Sequence, residues 1–212
     1  PVGTFNFYAT GLHYTYDNYT IDFGDGSSFS ADSNLTPSKS VSHTYNNQGL
    51  YTVTVTFTRS NGCTETQTIK VFFGSTPQGG INSLGSTTGC LPVDGSGLTF
   101  AFTINNYQGN PPGTSYEIDF TSDNNTMVYS HPPPDTLYKT FFKSSCGAVT
   151  STGSPNTFEA VITITNPCNS LSGSVGGIRI SEPAQAGFFM PQNGCVDQPI
   201  TVVDTSKGGA LQ

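Results

Sequence analysis

Two pairs of cysteines in this 212-residue chain repeat at one interval: Cys63 to Cys168 and Cys90 to Cys195 are both steps of 105 residues. The stretch Tyr19-Thr-Ile-Asp-Phe23 also returns, as Tyr116-Glu-Ile-Asp-Phe120, 97 residues on. A chain whose segments recur at such a period folds as a succession of like units, and each period is long enough to bury its own core. The repeat sets the expected boundaries. Residues 1–74 form a first unit without its opening strand, and residues 81–182 form a second unit swollen by loops at 105–115 and 130–157. Residues 183–212 are the start of a following unit or extra strands on the second. Gly74-Ser-Thr-Pro-Gln-Gly-Gly80 is too rich in glycine and proline to lie inside a sheet and reads as the linker.

The units are built of strands. In Tyr51-Thr-Val-Thr-Val-Thr-Phe57 the aromatic and branched residues take one face and the threonines the other, the period of a half-buried strand. Leu98-Thr-Phe-Ala-Phe-Thr-Ile104 repeats the pattern, and Gln67 to Phe73 and Phe158 to Ile164 show weaker versions of it. No stretch of ten residues has a helical period. Short alternating strands separated by Gly, Pro and Asn predict an all-β chain of tandem β-sandwiches.

Composition narrows the function. Charged residues are 10% of the chain, against about 25% in ordinary domains. The net charge of −7 leaves few cations for phosphates, which excludes a nucleic-acid binder. No apolar run approaches the length of a membrane span, so direct membrane insertion is not expected. The chain opens at Pro1 with no signal-peptide pattern and reads as a piece of something longer. The five cysteines include no C-x-x-C pair, which argues against zinc or iron–sulfur sites. Wide cysteine spacing and few lysines point to an oxidising, extracytoplasmic setting.

The repeat places one cysteine near the first strand and one in the last hairpin of a unit. Cys90 and Cys168 bracket the one complete unit, and a disulfide between them is expected. By the same grammar the partner of Cys63 lies upstream of Pro1 and that of Cys195 downstream of Gln212. Cys146 either replaces one partner of the Cys90/Cys168 pair or is free.

Asp22-Phe-Gly-Asp-Gly26, Ser42-His-Thr-Tyr45, the strand from Gly49 and Asn61-Gly-Cys63, in this order, resemble the polycystic kidney disease (PKD) module. The resemblance implies an immunoglobulin-like β-sandwich. It is specific over residues 1–74 and looser over 81–182, where Thr121-Ser-Asp-Asn124 stands in place of Gly-Asp-Gly. There Leu137-Tyr138 takes the place of Thr44-Tyr45, and Asn166-Pro167 that of Asn61-Gly62. Similar sequences are the giant tandem-PKD surface proteins of Bacteroidetes, including gliding-motility adhesins exported by the type IX secretion route. The physics of each piece stands beside the name. Gly24 and Gly26 supply positive φ, and Asp22 and Asp25 hold the turn through backbone N–H groups. Tyr45 with Gly49 packs a strand end before a turn, and Asn61-Gly62 is a hairpin dipeptide.

No nucleophile elbow or His-Glu-x-x-His pattern is present, and no enzyme is predicted. Asp17, Asp22 and Asp25 read either as turn stabilisers or as a calcium site, the one cofactor considered. His13 and His43 have no partners that suggest catalysis, and His131-Pro-Pro-Pro134 reads as a loop apex. With Tyr107, Tyr129 and Tyr138, His131 is a candidate contact surface. The leading expectation is an extracellular repeat segment of a bacterial cell-surface adhesin, which extends it from the cell and serves attachment or gliding. Its partners would be neighbouring modules of the same chain and an extracellular polysaccharide or abiotic surface. Alternatives are a carbohydrate-binding accessory module of a secreted polysaccharide-degrading enzyme, favoured if those tyrosines share one face, and a purely structural spacer.

Overall fold

Alternation of apolar and hydroxyl residues produces strands throughout the computed structural model, which describes residues 2–8, 16–32, 40–122 and 125–208. No helix occurs among the described residues. The first unit holds β1 (Gly3–Phe7), β2 (Asn18–Asp22), β3 (Ser28–Ala31), β4 (Val41–Tyr45), β5 (Gly49–Thr58) and β6 (Thr64–Phe73). β1 and β4 pair as one sheet, and the other runs in the order β3-β2-β5-β6. The second unit holds β7 (Gly80–Ser83), β8 (Thr88–Cys90), β9 (Leu98–Asn105), β10 (Ser115–Phe120), β11 (Thr126–Ser130), β12 (Leu137–Phe141), β13 (Phe158–Asn166) and β14 (Asn169–Ser181). Its sheets run β12-β9-β7 and β11-β10-β13-β14-β8. All these pairings are antiparallel except β8 with β14, which is parallel. The opening segment thus divides itself between the two sheets, β7 on one and β8 on the other. The chain is a tandem pair of immunoglobulin-like sandwiches.

Each unit has its own apolar core. Phe7, Tyr19, Ile21, Phe23, Tyr45 and Val53 bury together in the first. In the second, Phe102, Ile104, Tyr116, Ile118, Phe120, Phe141, Ile162, Ile164, Ile178 and Ile180 are almost completely removed from water. Full burial of a side chain this size contributes about 1.5–3 kcal/mol. Phe102 and Phe120 meet edge to face at 5.2 Å across the sheets. The outward threonines pair across strands, as Thr99 with Thr140 at 2.8 Å and Thr165 with Ser170 at 2.9 Å. Lys139 breaks the pattern. It occupies an inward position between Leu137 and Phe141, is 6% exposed, and sets Nζ 5.2 Å from the centre of the Phe120 ring.

The residues after β14 form their own small sheet, β15 (Phe188–Phe189) with β16 (Val203–Asp204). Neither strand joins a sheet of the second unit.

Two expectations are corrected here. Cys90 lies opposite Ser181 at the end of β14, whereas Cys168 sits in the turn that starts it. The 12 residue steps between those ends span roughly 40 Å at ~3.3 Å per residue, and a disulfide needs Cα atoms within about 7 Å. The Cys90–Cys168 bridge is therefore not formed, and the five cysteines are free and exposed. Repeat spacing orders the cysteines along the chain, but successive strands carry them to opposite ends of the sandwich. The second correction concerns Tyr138. β4 ends at Tyr45 opposite Gly3, and β12 ends at Phe141 opposite Leu98, so Phe141 takes the place of Tyr45 while Tyr138 faces solvent.

Candidate functional site

The motif in the first unit is a braced turn. Asp22 Oδ1 accepts the Gly24 N–H at 2.8 Å, and Asp25 Oδ1 accepts the Ser27 N–H at 3.0 Å. Gly24 and Gly26 have φ of 77° and 90°. His43 Nε2 lies 2.8 Å from Asp25 Oδ2, and its ring stacks on Phe23 at 3.9 Å. Burial raises the Asp25 carboxyl, but bonds from Ser27 and His43 outweigh it and hold the group below the ordinary carboxylate range. Tyr45 is wholly buried and donates to the Phe23 carbonyl at 2.9 Å. Burial first, then Asp25, Tyr51 and Asp22, push its phenol up to about 12. Gly49 packs beneath the Tyr51 ring, which stacks on Tyr45 at 4.0 Å.

Asp17 is not part of this cluster. It precedes β2 and accepts the Ser60 N–H, while Asp22 ends the same strand. The five steps separate them by roughly 16 Å, so Asp17, Asp22 and Asp25 do not converge on one calcium ion. Among the described residues no three carboxylate, histidine or cysteine groups gather in a metal-binding set. His13 lies outside the described residues.

The last hairpins of the two units share a device. Asn61 Oδ1 accepts the Cys63 N–H at 3.0 Å, and Asn166 Oδ1 accepts the Cys168 N–H at 2.9 Å. Gly62, with φ 84°, closes a three-residue loop by donating to the Arg59 carbonyl at 2.9 Å.

The tyrosines proposed as a contact surface divide. Tyr107 meets His131 edge to face at 6.2 Å and donates to Asp135 Oδ1 at 2.8 Å. His131 Nδ1 sits 3.0 Å from the Tyr116 hydroxyl, and burial lowers its pKa. Tyr107 and Tyr129 pack on the second core. Tyr138 stands alone on the outer face of the opposite sheet, 66% exposed. The four do not make one aromatic platform.

The 105–115 loop instead meets the linker and the first unit. Asn110, 5% exposed, brackets Gln78: its Oδ1 accepts the Gln78 N–H at 2.8 Å, and its Nδ2 donates to the Gln78 carbonyl at 2.7 Å. The same Nδ2 donates to the Tyr116 hydroxyl at 2.8 Å. From the hairpin at the same end, Asn166 Nδ2 donates to the Ser75 carbonyl at 2.9 Å, and Cys168 Sγ to that of Gly74 at 3.5 Å. Pro77 between them is buried. A Cβ on Gly74 would lie 2.8 Å from Pro111, and one on Gly113 3.2 Å from Phe72 and 3.3 Å from Leu50. The linker is thus bonded at Gly74, Ser75 and Gln78, and Leu50 and Phe72 at the end of the first unit lie close to Gly113 of the second. The arrangement ties the linker and the end of the first unit to one end of the second.

Asn110 and Asn166 were not marked out by motif. The hairpin match of Asn166 to Asn61 was the one available signal, and it pointed to the turn rather than to the linker. Glu159 was also missed. It is 2% exposed and accepts the Ser151 N–H and hydroxyl at 2.9 and 2.7 Å. Hydrogen bonds from Ser174 and Ser151 overcome burial and hold its pKa below the usual range.

A family model described as PKD domain matches residues 4–73, the whole of the first sandwich. The chain matches no curated protein. Among solved structures it is similar to the fibronectin(III)-like modules of Clostridium thermocellum CbhA, with 12% identity, TM-score 0.34, and coverage of 81% of this chain and 83% of that one. It is also similar to a calcium-stabilised adhesin with which an Antarctic bacterium binds ice, at 14% identity and TM-score 0.32. That match covers 90% of this chain and 46% of the adhesin. The FN1-FN3 domains of chicken CNTN1 match at 11% identity and TM-score 0.25, over 94% and 80% of the two chains.

Proposed function

We propose that this chain is a non-enzymatic repeat segment of a large bacterial cell-surface adhesin, holding the adhesive parts away from the outer membrane and contributing to surface attachment or gliding motility. The observation that carries the reading is the strapped junction, in which Asn110 and Asn166 bind the backbone of residues 75–78. A spacer needs a linker that does not fold back, and this one is held at both ends of its length. The PKD match over residues 4–73 supports an extracellular setting. Its partners in this reading are the neighbouring modules and an extracellular polysaccharide or abiotic surface.

The test replaces residues 74–79 of the parent protein with a flexible Gly-Ser stretch of equal length and measures retention of cells on glass and on polysaccharide-coated glass under flow. Retention should fall in the linker variant and fall at least as far when residues 1–182 are deleted. Unchanged retention after the deletion refutes the reading.

A further inference from the structure

The bonds that hold Gln78 run in one direction and end on a titratable ring. The Gln78 backbone leaves the Asn110 amide a single orientation: its N–H needs the amide oxygen, at 2.8 Å, and its carbonyl needs the amide nitrogen, at 2.7 Å. The second hydrogen on that nitrogen goes to the Tyr116 hydroxyl oxygen, 2.8 Å away. An amide nitrogen only donates, so Tyr116 accepts here and must send its own hydrogen elsewhere. Its other partner is His131 Nδ1, at 3.0 Å. Tyr116 is wholly buried and Asn110 nearly so, which keeps water from substituting for either bond.

This chain of donors assigns His131 its state. Nδ1 accepts, so the imidazole is neutral and carries its hydrogen on Nε2. The titratable groups around the ring among the described residues are Tyr107 from the 105–115 loop, edge to face at 6.2 Å, Tyr116 from β10, and Asp135 from its own loop. Both phenols stay neutral at acid pH. The Asp135 carboxylate favours a charged ring, but it accepts the Tyr107 hydroxyl at 2.8 Å, and burial of the imidazole outweighs it. Residues 74–80 contribute no titratable side chain. The backbone holds the ring in place, with the His131 N–H donated to the Thr114 carbonyl at 2.9 Å.

We propose that His131 makes the hold on the linker pH-dependent: a proton on Nδ1 turns the Tyr116 hydroxyl against Asn110 and releases Gln78. The imidazolium presents an N–H where the hydroxyl hydrogen lay. That hydrogen turns from His131 toward Asn110 and meets the amide N–H, donor against donor. Asn110 withdraws and gives up both bonds to the Gln78 backbone. One proton is taken from solvent and no covalent bond changes in the protein frame. Burial holds the folded pKa below the unfolded value near 6.5, so the contribution is complete above that value and is lost as pH falls through the lower folded one. The device belongs to the junction and does not depend on the adhesin reading.

The isotope-labelled 212-residue chain is titrated by NMR from about pH 8 to about pH 5, with each variant's melting curve as a check on folding. At the alkaline end the His131 ring should show a bare Nδ1 and a protonated Nε2. As pH falls, His131 should titrate with a midpoint below 6.5, and the Gln78 amide resonance should move with that same midpoint. Exchange of the Gln78 amide, corrected for the intrinsic effect of pH, should rise about 10-fold across the titration, as for one hydrogen bond lost. In His131→Gln the Gln78 amide should be indifferent to pH. In Tyr116→Phe the His131 ring should still titrate while Gln78 no longer follows it; where the lost hydroxyl unfolds that variant, His131→Gln carries the test. A His131 ring protonated on Nδ1 at the alkaline end, or a Gln78 amide that ignores the His131 titration, overturns the proposal. So does a Gln78 response that persists in His131→Gln, which would place the titrating group elsewhere.

Discussion

Replacing Asn110 by Ala removes three hydrogen bonds, of 2.7, 2.8 and 2.8 Å, two of them to the Gln78 backbone and one to the Tyr116 hydroxyl. The Tyr116 hydroxyl keeps His131, and the exposed linker backbone regains water, so the loss is about 1 kcal/mol per bond and 2–3 kcal/mol in all. At ~4–8 °C per kcal/mol for a unit of this size, the second sandwich should melt roughly 10–20 °C lower. The first sandwich should melt within about 2 °C of wild type, since distant sites act independently. Calorimetry resolves the two transitions. Spin labels at the exposed Gln67 and Val128, in a chain with its cysteines changed to Ser, report the distance between units. One narrow distribution in the parent should broaden in the variant. A second-unit melting temperature within about 2 °C of the parent, with the distance distribution still narrow, would refute the claim that Asn110 straps the linker.

Three further outcomes follow from the first unit. Tyr45→Phe removes the bond to the Phe23 carbonyl and should destabilise that unit by about 1 kcal/mol, read by urea titration, with the second unit unchanged. Gly24→Ala should cost several times more than Gly26→Ala: both have positive φ, but a Cβ on Gly24 would lie 2.5 Å from the Thr52 carbonyl oxygen, while Gly26 has open space. Asp25 has a lowered pKa in the fold, so its contribution is present above the unfolded carboxylate value near 4 and is lost as pH falls through the lower folded value. Asp25→Asn should flatten the acid limb of first-unit stability below about pH 4; an unaltered limb would remove Asp25 from the account.

The parts legible in the sequence are those where neighbours decide the conformation. Alternation located β5, β9 and β13 to within two residues at each end, and the glycines at 24, 26 and 62 took the left-handed φ their turns need. The illegible parts depend on which end of a sandwich a residue reaches. Cys90 and Cys168 bracket a unit in sequence yet stand at opposite ends of β14. Asp17 and Asp22 are near neighbours in sequence, but an extended strand separates them as far as its length allows. Asn110 and Asn166 bind linker backbone 32 and 91 residues away, and backbone partners leave no residue type to recognise. Lys139 sat in plain alternation with Leu137 and Phe141, and its burial was readable from position though not from charge.

The parallel pairing of β8 with β14 also sets how the second sandwich bears tension. The chain enters through β7, runs on into β8 and leaves at the end of β14, so a pull along the chain drags β8 and β14 past each other in opposite directions. The ladder of Thr88, Gly89 and Cys90 against Arg179, Ile180 and Ser181, with Leu91 donating to the Ser181 carbonyl at 2.9 Å, is then loaded in shear. Its hydrogen bonds must break together instead of unzipping one by one. Stretched in a flowing medium, the second sandwich would therefore hold its length until these bonds fail at once.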